Sequence, residues 1–381
     1  MRLDGFRNFA GLELGLGAGM HIFAGANAQG KTNLLEAVYL AATGRSPRTG
    51  QESELIGWER EVARVTAEFV SEQRGSFAVE VSLGRKSSGT GSETRRGGSA
   101  EKRIKVNGAQ RSAADLAGLT PVVLFLVDDL EIIRGEPARR RDFLDTDLSA
   151  MSRTYQWAWR QYNRVLDQRN RLLKDIRDGQ GAAADLPPWD AQLAAFGGRL
   201  LEVRLRFVAD LNEQTMPVYR GLSASEQEMT VGYHREWGDP EAKPMTRDAL
   251  AALLADAIDE NVEEEIRRGS TLVGPHRDDL HILVGGKDIR FFGSQGEQRT
   301  AAVALRVAEC AMLRQLVDEW PVLLLDDIFS ELDRTRRGAL LGYLTPLTQV
   351  ILTTTDVDAI GLPPETAVHI YQVSGGTVAG E

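Results

Sequence analysis

Residues 20–42 read MHIFAGANAQGKTNLLEAVYLAA, and what these three pieces become decides the fold. MHIFAG is a short apolar run of strand character, and in NLLEAVYLAA the apolar residues return at helical spacing. Between them GANAQGKT, from Gly25 to Thr32, fits G-x-x-x-x-G-K-[ST] at every position. A strand, a glycine-rich loop and a helix in that order aim backbone N–H groups and a positive helix end at one anion. Lys31 is long enough to reach terminal phosphates, and the Thr32 hydroxyl suits a magnesium ion. Gly25, Asn27, Gly30, Lys31, Thr32 and Asn33 are the residues expected to line a nucleotide, ATP with Mg²⁺.

Such a loop needs an acidic partner at the end of another strand. Two stretches compete, LFLVDD (124–129) and LLLDD (323–327). The second continues into Ser330-Glu331-Leu332-Asp333, a helix start with outward polar groups, whereas the first leads into a basic, proline-containing stretch. Asp326 is therefore expected in the magnesium shell and Asp327 beside the attacking water, with Asp128 and Asp129 structural. A further glycine-rich stretch, GSQGEQRT (293–300), opens a helix expected from Glu297 to Trp320. Ser294 and Glu297 stand at capping-box spacing, and by itself the motif reads equally as a well-capped helix or as a helix start built for an anion.

The 381 residues, 42% hydrophobic and 26% charged, suffice for roughly two or three domains. No apolar run approaches the roughly 18 residues of a membrane span, MRLDGFRNFA lacks a secretory core, and a cytoplasmic location is expected. The lone Cys310 sits in an apolar helical pattern, expected as a small buried hydrophobe, and five scattered histidines (His21, His234, His276, His281, His369) lack zinc-ligand spacing. A net charge of −10 argues against nucleic acid, but charge is segregated. From Arg134 to Arg177 there are 11 basic and 6 acidic residues, while Asp248 to Glu265 carries 7 acidic residues and no basic one.

The remaining pattern places two strand-bearing ends around a helical middle. VARVTAEFV and FAVEVSL, within 62–83, alternate as antiparallel strands, residues 84–102 read as a mobile hairpin tip, and RIKVNGAQR supplies a strand with an Asn107-Gly108 turn. PVVLFLVDDL (121–130) is a buried strand. Beyond Pro137, Tyr155, Trp159, Tyr162, Leu166, Leu173 and Ile176 share one helical face. A linker from Gly179 to Pro188 precedes helices at about 191–219 and 248–268, and LHILVGG (280–286) and PVLLLDDIF are strands.

The order GANAQGKT, GSQGEQRT, LLLDDIFSELD is that of ABC-type ATPase heads, and the wording resembles the RecF family of bacterial recombinational repair proteins. The likeness extends to FRNF (6–9) with NAQGKTNLLEAVYL (27–40), GEPARRRDFLD (135–145) and LVGPHRDDL (272–280), and is weak between about 180 and 265. It implies an α/β P-loop NTPase of ABC ATPase-head type with an antiparallel β subdomain and an inserted α-helical lobe. The head would comprise 1–130 plus 270–381 and the lobe 131–269. It also implies that Ser294, Gln295 and Gly296 of one subunit close over ATP held by another, so that ATP joins a head-to-tail homodimer, with Ser330 and Asp333 coupling the two sites.

The implied activity is slow, DNA-stimulated ATP hydrolysis by a dimer that binds duplex DNA at single-strand gaps and promotes recombinase loading, with the RecR mediator as partner and no membrane. Arg139, Arg140 and Arg141, with Arg153, Arg160 and Arg164, are the candidate DNA contacts; ion pairing with Asp142, Asp145 and Asp147 is the equal alternative. Trp157 and Trp159 are expected to pack between helices rather than stack on bases. The chain departs from the pattern in four places. Thr355 or Asp356 replaces a histidine, Asp327 stands where glutamate is usual, Gln51 is the candidate metal-sensing glutamine, and the first strand is shorter than in relatives. An ABC-type scaffold or transporter-type subunit is the competing function, against which stand a signature unlike LSGGQ and no membrane-coupling surface. A small-molecule kinase would leave GSQGEQRT unexplained, and the helical middle is too short for the arms of chromosome-maintenance ATPases.

Overall fold

The computed structural model describes residues 1–85, 100–223, 226–238, 246–362 and 367–380. In chain order, strands β1 (Arg2–Phe6), β2 (Phe9–Glu13) and β3 (Gly19–Ala24) lead to helix α1 (Lys31–Thr43). Then come β4 (Val62–Ser71), β5 (Gly75–Arg85), β6 (Ala100–Val106), β7 (Ala109–Arg111), α2 (Ala113–Leu116) and β8 (Val122–Phe125). The helical stretch holds α3 (Leu130–Arg134), α4 (Pro137–Met151), α5 (Arg153–Arg177) and α6 (Pro187–Ser223). After β9 (Met229–His234) follow α7 (Arg247–Arg268), β10 (Asp279–Val284), β11 (Lys287–Asp288), α8 (Ile289–Phe292) and α9 (Gln295–Val317). The chain finishes with β12 (Val322–Asp326), α10 (Arg334–Leu344), β13 (Gln349–Thr354), β14 (Val368–Ser374) and β15 (Thr377–Gly380).

Two compact units emerge. The first comprises Met1–Asp129, Gly221–Ala224 and Ala302–Glu381, and the second Leu130–Arg220 with Ser225–Ala301. The sequence division at 269/270 and the compact boundary at 301/302 differ because β10 pairs antiparallel with β9 over six residue pairs, and so groups with the helices.

In the first unit a sheet of order β15-β14-β3-β13-β12-β8 has parallel pairs throughout, except for the β14–β15 hairpin at its edge. The second sheet, β2-β1-β4-β5-β6-β7, is antiparallel. Its strand β4 alternates buried and open residues, as half-buried pleats must, whereas Leu323, Leu324 and Leu325 of β12 are all buried. Helix α1 shows why NLLEAVYLAA is apolar on more than one side: 11 of its 13 residues are buried. One core joins its Leu34, Leu35 and Val38 to Leu3, Val65 and Val81 of one sheet and Leu324 and Ile351 of the other. A helix clamped between two sheets has no solvent face to keep polar. Asn107 and Gly108, at φ 50° and 80°, make the expected tight turn between β6 and β7. The expected hairpin tip falls mostly on residues 86–99, outside the described residues; its flanks Arg85 and Ala100 pair.

In the second unit, α5 ends at Arg177 and α6 opens on Pro187, which the first helical turn tolerates because its missing N–H has no partner to lose. The expected face of α5 is largely inward, with Tyr155, Tyr162, Leu166 and Leu173 buried. In the first unit, Cys310 of α9 is buried, as its apolar surroundings foretold. No helix among the described residues is long and apolar enough to cross a membrane.

Candidate functional site

In the first unit β3 feeds GANAQGKT into α1. Ala28 (φ 64°) and Gly30 (φ 111°) hold left-handed backbone, and Gly30, the N-cap of α1, leaves the helix with no side-chain cap and no acidic residue in its first turn. Both leave the helix start open to an anion. The Lys31 ammonium donates to the carbonyls of Gly25 (2.6 Å) and Ala26 (2.9 Å). Burial pulls its pKa down, and Asp327 and Asp326 pull it back up.

The end of β12 meets this loop. Thr32 donates its hydroxyl to Asp326 Oδ2 at 2.8 Å, and Thr353, on the neighbouring β13, donates to Oδ1 at 2.7 Å. A hydroxyl and a carboxylate held together are the hard oxygen donors magnesium takes, so the residues present fit that ion. Asp327 has φ 49°, unusual for a residue with a side chain, and is fixed there by its N–H bonds to Thr353 O (3.2 Å) and Oγ1 (3.0 Å). Its buried Oδ1 has no hydrogen-bond partner, and burial pushes the carboxyl up in pKa while Lys31 pulls it down. A strained residue presenting an unpaired acceptor beside a lysine can orient water.

The other expected site residues make contacts within the protein. Asn33 is committed within the protein, donating to Asn8 Oδ1 and accepting from Arg48. Asn27 accepts at its carbonyl from Gln29 (3.4 Å). Gln51 is exposed and donates its backbone N–H to Thr49 Oγ1, before the turn Glu52–Leu55. Ser330 donates to the Asp327 carbonyl, and Asp333 is the N-cap of α10, accepting from the Arg336 N–H. Of the two residues at the histidine position, Asp356 accepts at Oδ1 from the N–H groups of Asp358 (3.0 Å) and Ala359 (3.4 Å), and Thr355 precedes it just past the end of β13. An open pocket beside the loop is lined by Ala24–Ala26, Thr355–Asp358 and Gln372. Asp129 is structural: it caps Leu126 N–H and holds Arg306 with both oxygens.

Sequence reading gave no role to the residues that brace the loop. Arg7 of FRNF, at φ 51°, grips buried Glu36 of α1 through Nε and an Nη, each at 2.8 Å. Asn8 donates to the Gln29 carbonyl, and a Cβ on Gly30 would run into Asn8. From the far end of the chain the β14–β15 turn closes on the same place. Gly375 N–H donates to Gln29 Oε1 at 2.7 Å and Gly376 N–H to Gln29 O at 3.3 Å, while a Cβ on Gly376 would strike the Asn8 carbonyl. The glycine pair in VSGGTV was the available signal.

In the second unit, GSQGEQRT is a capping box. Glu297 Oε2 accepts from Ser294 N–H (2.8 Å) and Oγ (2.7 Å), and Ser294 Oγ accepts from Glu297 N–H (3.3 Å). Ser294 and Gln295 are exposed and Gly296 is half-buried. Just before them Phe291 and Phe292 are 70% and 73% exposed. The basic run divides. Arg139, Arg153 and Arg160 are exposed, and Arg141 is half-buried, donating to the Asp278 carbonyl. Arg140 has to be taken out of the expected DNA surface: it is 2% exposed, pairs with Asp279 through two nitrogens and donates to Ile132 O and Gly135 O. Asp145 is likewise internal, pairing with buried Arg204 and accepting from Trp159 Nε1.

GPHRDDL proves to be the polar heart of this unit. Arg204 also donates to Tyr155, Tyr233 and Pro275 O, and Asp278 accepts from Tyr233 and Trp237. Burial pushes Asp278 up to about 6 and His276 down to about 3.

Residues 1–378 match the family described as RecF/RecN/SMC N terminal domain. The chain is 36% identical over 381 residues to the DNA replication and repair protein RecF of Heliobacterium modesticaldum, covering 100% of this chain and 98% of that one. To RecF of Bacillus cereus it is 34% identical, covering 99% and 97%. A solved structure of the recombination mediator protein RecF with ATPrS, in the RecFOR pathway, matches with TM-score 0.85 at 31% identity, over 100% of this chain and 96% of that one. Its ATP counterpart gives 0.84 at 32%, with the same coverage. An Smc head bound to the C-winged helix domain of ScpA shares the fold at TM-score 0.56 and 16% identity, over 100% and 95%.

Proposed function

The chain belongs to the RecF/RecN/SMC family and within it to RecF, DNA replication and repair proteins built on an ABC-type ATPase head; from that premise we propose that ATP drives two copies into a head-to-tail dimer that binds DNA at single-strand gaps. Ser294, Gln295 and Gly296 of one copy meet the γ-phosphate of the ATP held by Gly25–Thr32 of the other. The observation that carries this reading is the exposed, capped start of α9, flanked by two exposed phenylalanines. Apolar rings at the surface favour a partner that covers them, and a helix N-terminus favours an anion.

Within each site the loop N–H groups and Lys31 hold the phosphates, while Thr32 and Asp326 hold magnesium, which neutralises phosphate charge when bound. Asp327 orients the water that attacks the γ-phosphorus; as that P–O bond forms, the bond to the β–γ bridging oxygen breaks, ADP leaves with that oxygen, and the water's proton passes toward the Asp327 carboxylate. Its side chain is one methylene shorter than glutamate and Thr355 or Asp356 replaces a histidine, so turnover is slow and the dimer persists. Exposed Arg139, Arg153 and Arg160 supply salt-sensitive phosphate contacts, and a RecR-type mediator is the protein partner that brings the recombinase.

Light scattering with and without ATP·Mg²⁺, and then with a gapped duplex, tests this. The mass should double with ATP, more completely with the duplex, and stay monomeric for Lys31→Ala. A wild-type mass indifferent to ATP would sink the proposal.

A further inference from the structure

Trp157 was expected to pack between helices, and its neighbour Trp159 does so, half-buried with its indole N–H on Asp145 (2.8 Å). Trp157 is different: 46% of it is exposed. From α6, Phe196 meets it edge-on at 5.5 Å between centroids, and the Arg199 guanidinium lies 5.5 Å from the ring centre. Arg199 thus lies over the ring on one side and Phe196 braces it edge-on, while 46% of the residue stays open to a ligand.

Its position on α5 gives the ring its chemistry. Exposed Arg153, Arg160 and Arg164 stand four before, three after and seven after Trp157, which puts all four on one helical stripe. Arg171 continues the stripe to about 27 Å from Arg153, with exposed Asp167 its one acidic member. Among the described residues no carboxylate pairs with Arg160, Arg164 or Arg171, in contrast to Arg169 on the inner face, which is buried against Asp190 and Glu265. An acidic protein would use such arginines without needing the ring, and a lipid-facing or apolar partner would not choose a ring ringed by cations. Arginines spaced along an exposed helix stripe with a braced, partly open aromatic ring among them are what an unpaired nucleic-acid strand needs: cations for phosphates, a π-face for a base.

We propose that the outer stripe of α5 is a single-strand binding track, on which one unpaired base stacks on Trp157 while Arg160 and Arg164, with Arg153 beside them, hold the flanking phosphates. This rests on the DNA-binding reading above and deepens it: the track takes the unpaired side of the gap, and the duplex lies elsewhere on the protein.

The full chain, with ATP·Mg²⁺, is titrated with a short oligo(dT) and with a duplex of equal length. Trp157→Ala should weaken oligo(dT) binding about tenfold, the worth of one stacked base, and leave duplex affinity within about twofold. Trp157→Phe should keep most of the affinity but lose the tryptophan quenching that oligo(dT) causes in the wild type, and it guards against misfolding of the alanine variant. Arg160→Ala with Arg164→Ala should lower the salt slope for oligo(dT) by about 1.4, from roughly 0.7 per phosphate contact. If Trp157→Ala binds oligo(dT) as the wild type does, or if the wild type binds duplex but not oligo(dT), the track is wrong and the DNA reading stands. If the wild type binds neither, both fall.

Discussion

Asp327 holds its positive φ because β13 fixes its N–H twice, and the carboxylate oxygen it buries has nothing to bond. A backbone held in a sparsely populated region beside an unpaired buried acceptor is the pattern a ligand site leaves, and the proposed catalytic role follows from it. Asp327→Asn should leave ATP binding and ATP-dependent dimerisation intact while single-turnover phosphate release falls at least about a hundredfold, as loss of a positioned base commonly costs. Release at the wild-type rate would return Asp327 to a structural role. The same scale shows where sequence reading succeeds. Thr32 and Asp326, 294 positions apart, were paired by motif alone and meet at 2.8 Å. Thr353 was invisible, because a threonine inside an apolar strand looks like any β-branched residue until its hydroxyl is seen bonded to Asp326.

At the scale of elements, the helix α9 and the hairpin β14–β15 carry separable predictions. Arginine in place of Ser294 removes the cap and puts bulk and charge where the facing nucleotide would sit. Ser294→Arg should bind ATP normally as a monomer and fail to dimerise in sedimentation; dimers at wild-type affinity would reduce GSQGEQRT to a cap. Gly376→Ala forces a Cβ against Asn8 at φ 79°, whereas Gly361→Ala meets only the φ penalty at 73° in open space. Nucleotide affinity by calorimetry should fall about tenfold in the first and little in the second; equal losses would mean the clasp does not shape the loop. Elements with strong periods were legible, among them α1, α5, α7 and the β4–β5 pair. Sheet order was not, because strand neighbours such as β3 and β14 are chosen by packing far along the chain. Arg140 was misread because a basic run looks alike whether it faces water or, like this one, turns one member inward to Asp279.

Across the whole molecule, stability should depend on pH through the polar heart of the helical unit. His276 is neutral when folded, accepting from Tyr162 at 2.7 Å with its other nitrogen toward Thr271 O, and burial holds it at about 3 against an ordinary 6.5. The unfolded chain therefore takes up this proton first, and the stability it contributes is present above about 6.5 and lost as pH falls toward 3. Asp278 acts in the opposite sense between 6 and 3.8, since the folded state takes its proton first. Comparison with His276→Gln in urea isolates the histidine: the stability difference should shrink by up to ~1.4 kcal/mol per pH unit below about 6.5, and a constant difference would show that His276 does not titrate with unfolding. One more consequence comes from the clasp of Gly375 on Gln29, whose partners stand 346 positions apart. At a synthesis rate of ~5–20 residues per second, GANAQGKT leaves the ribosome roughly twenty seconds to a minute before the hairpin that completes it. Until then β3 also lacks both of its neighbours, β13 and β14. Until those segments are made the loop has none of these braces, so the nucleotide site of a nascent chain is expected to take its final shape only once β13, β14 and the turn after β14 have been synthesised.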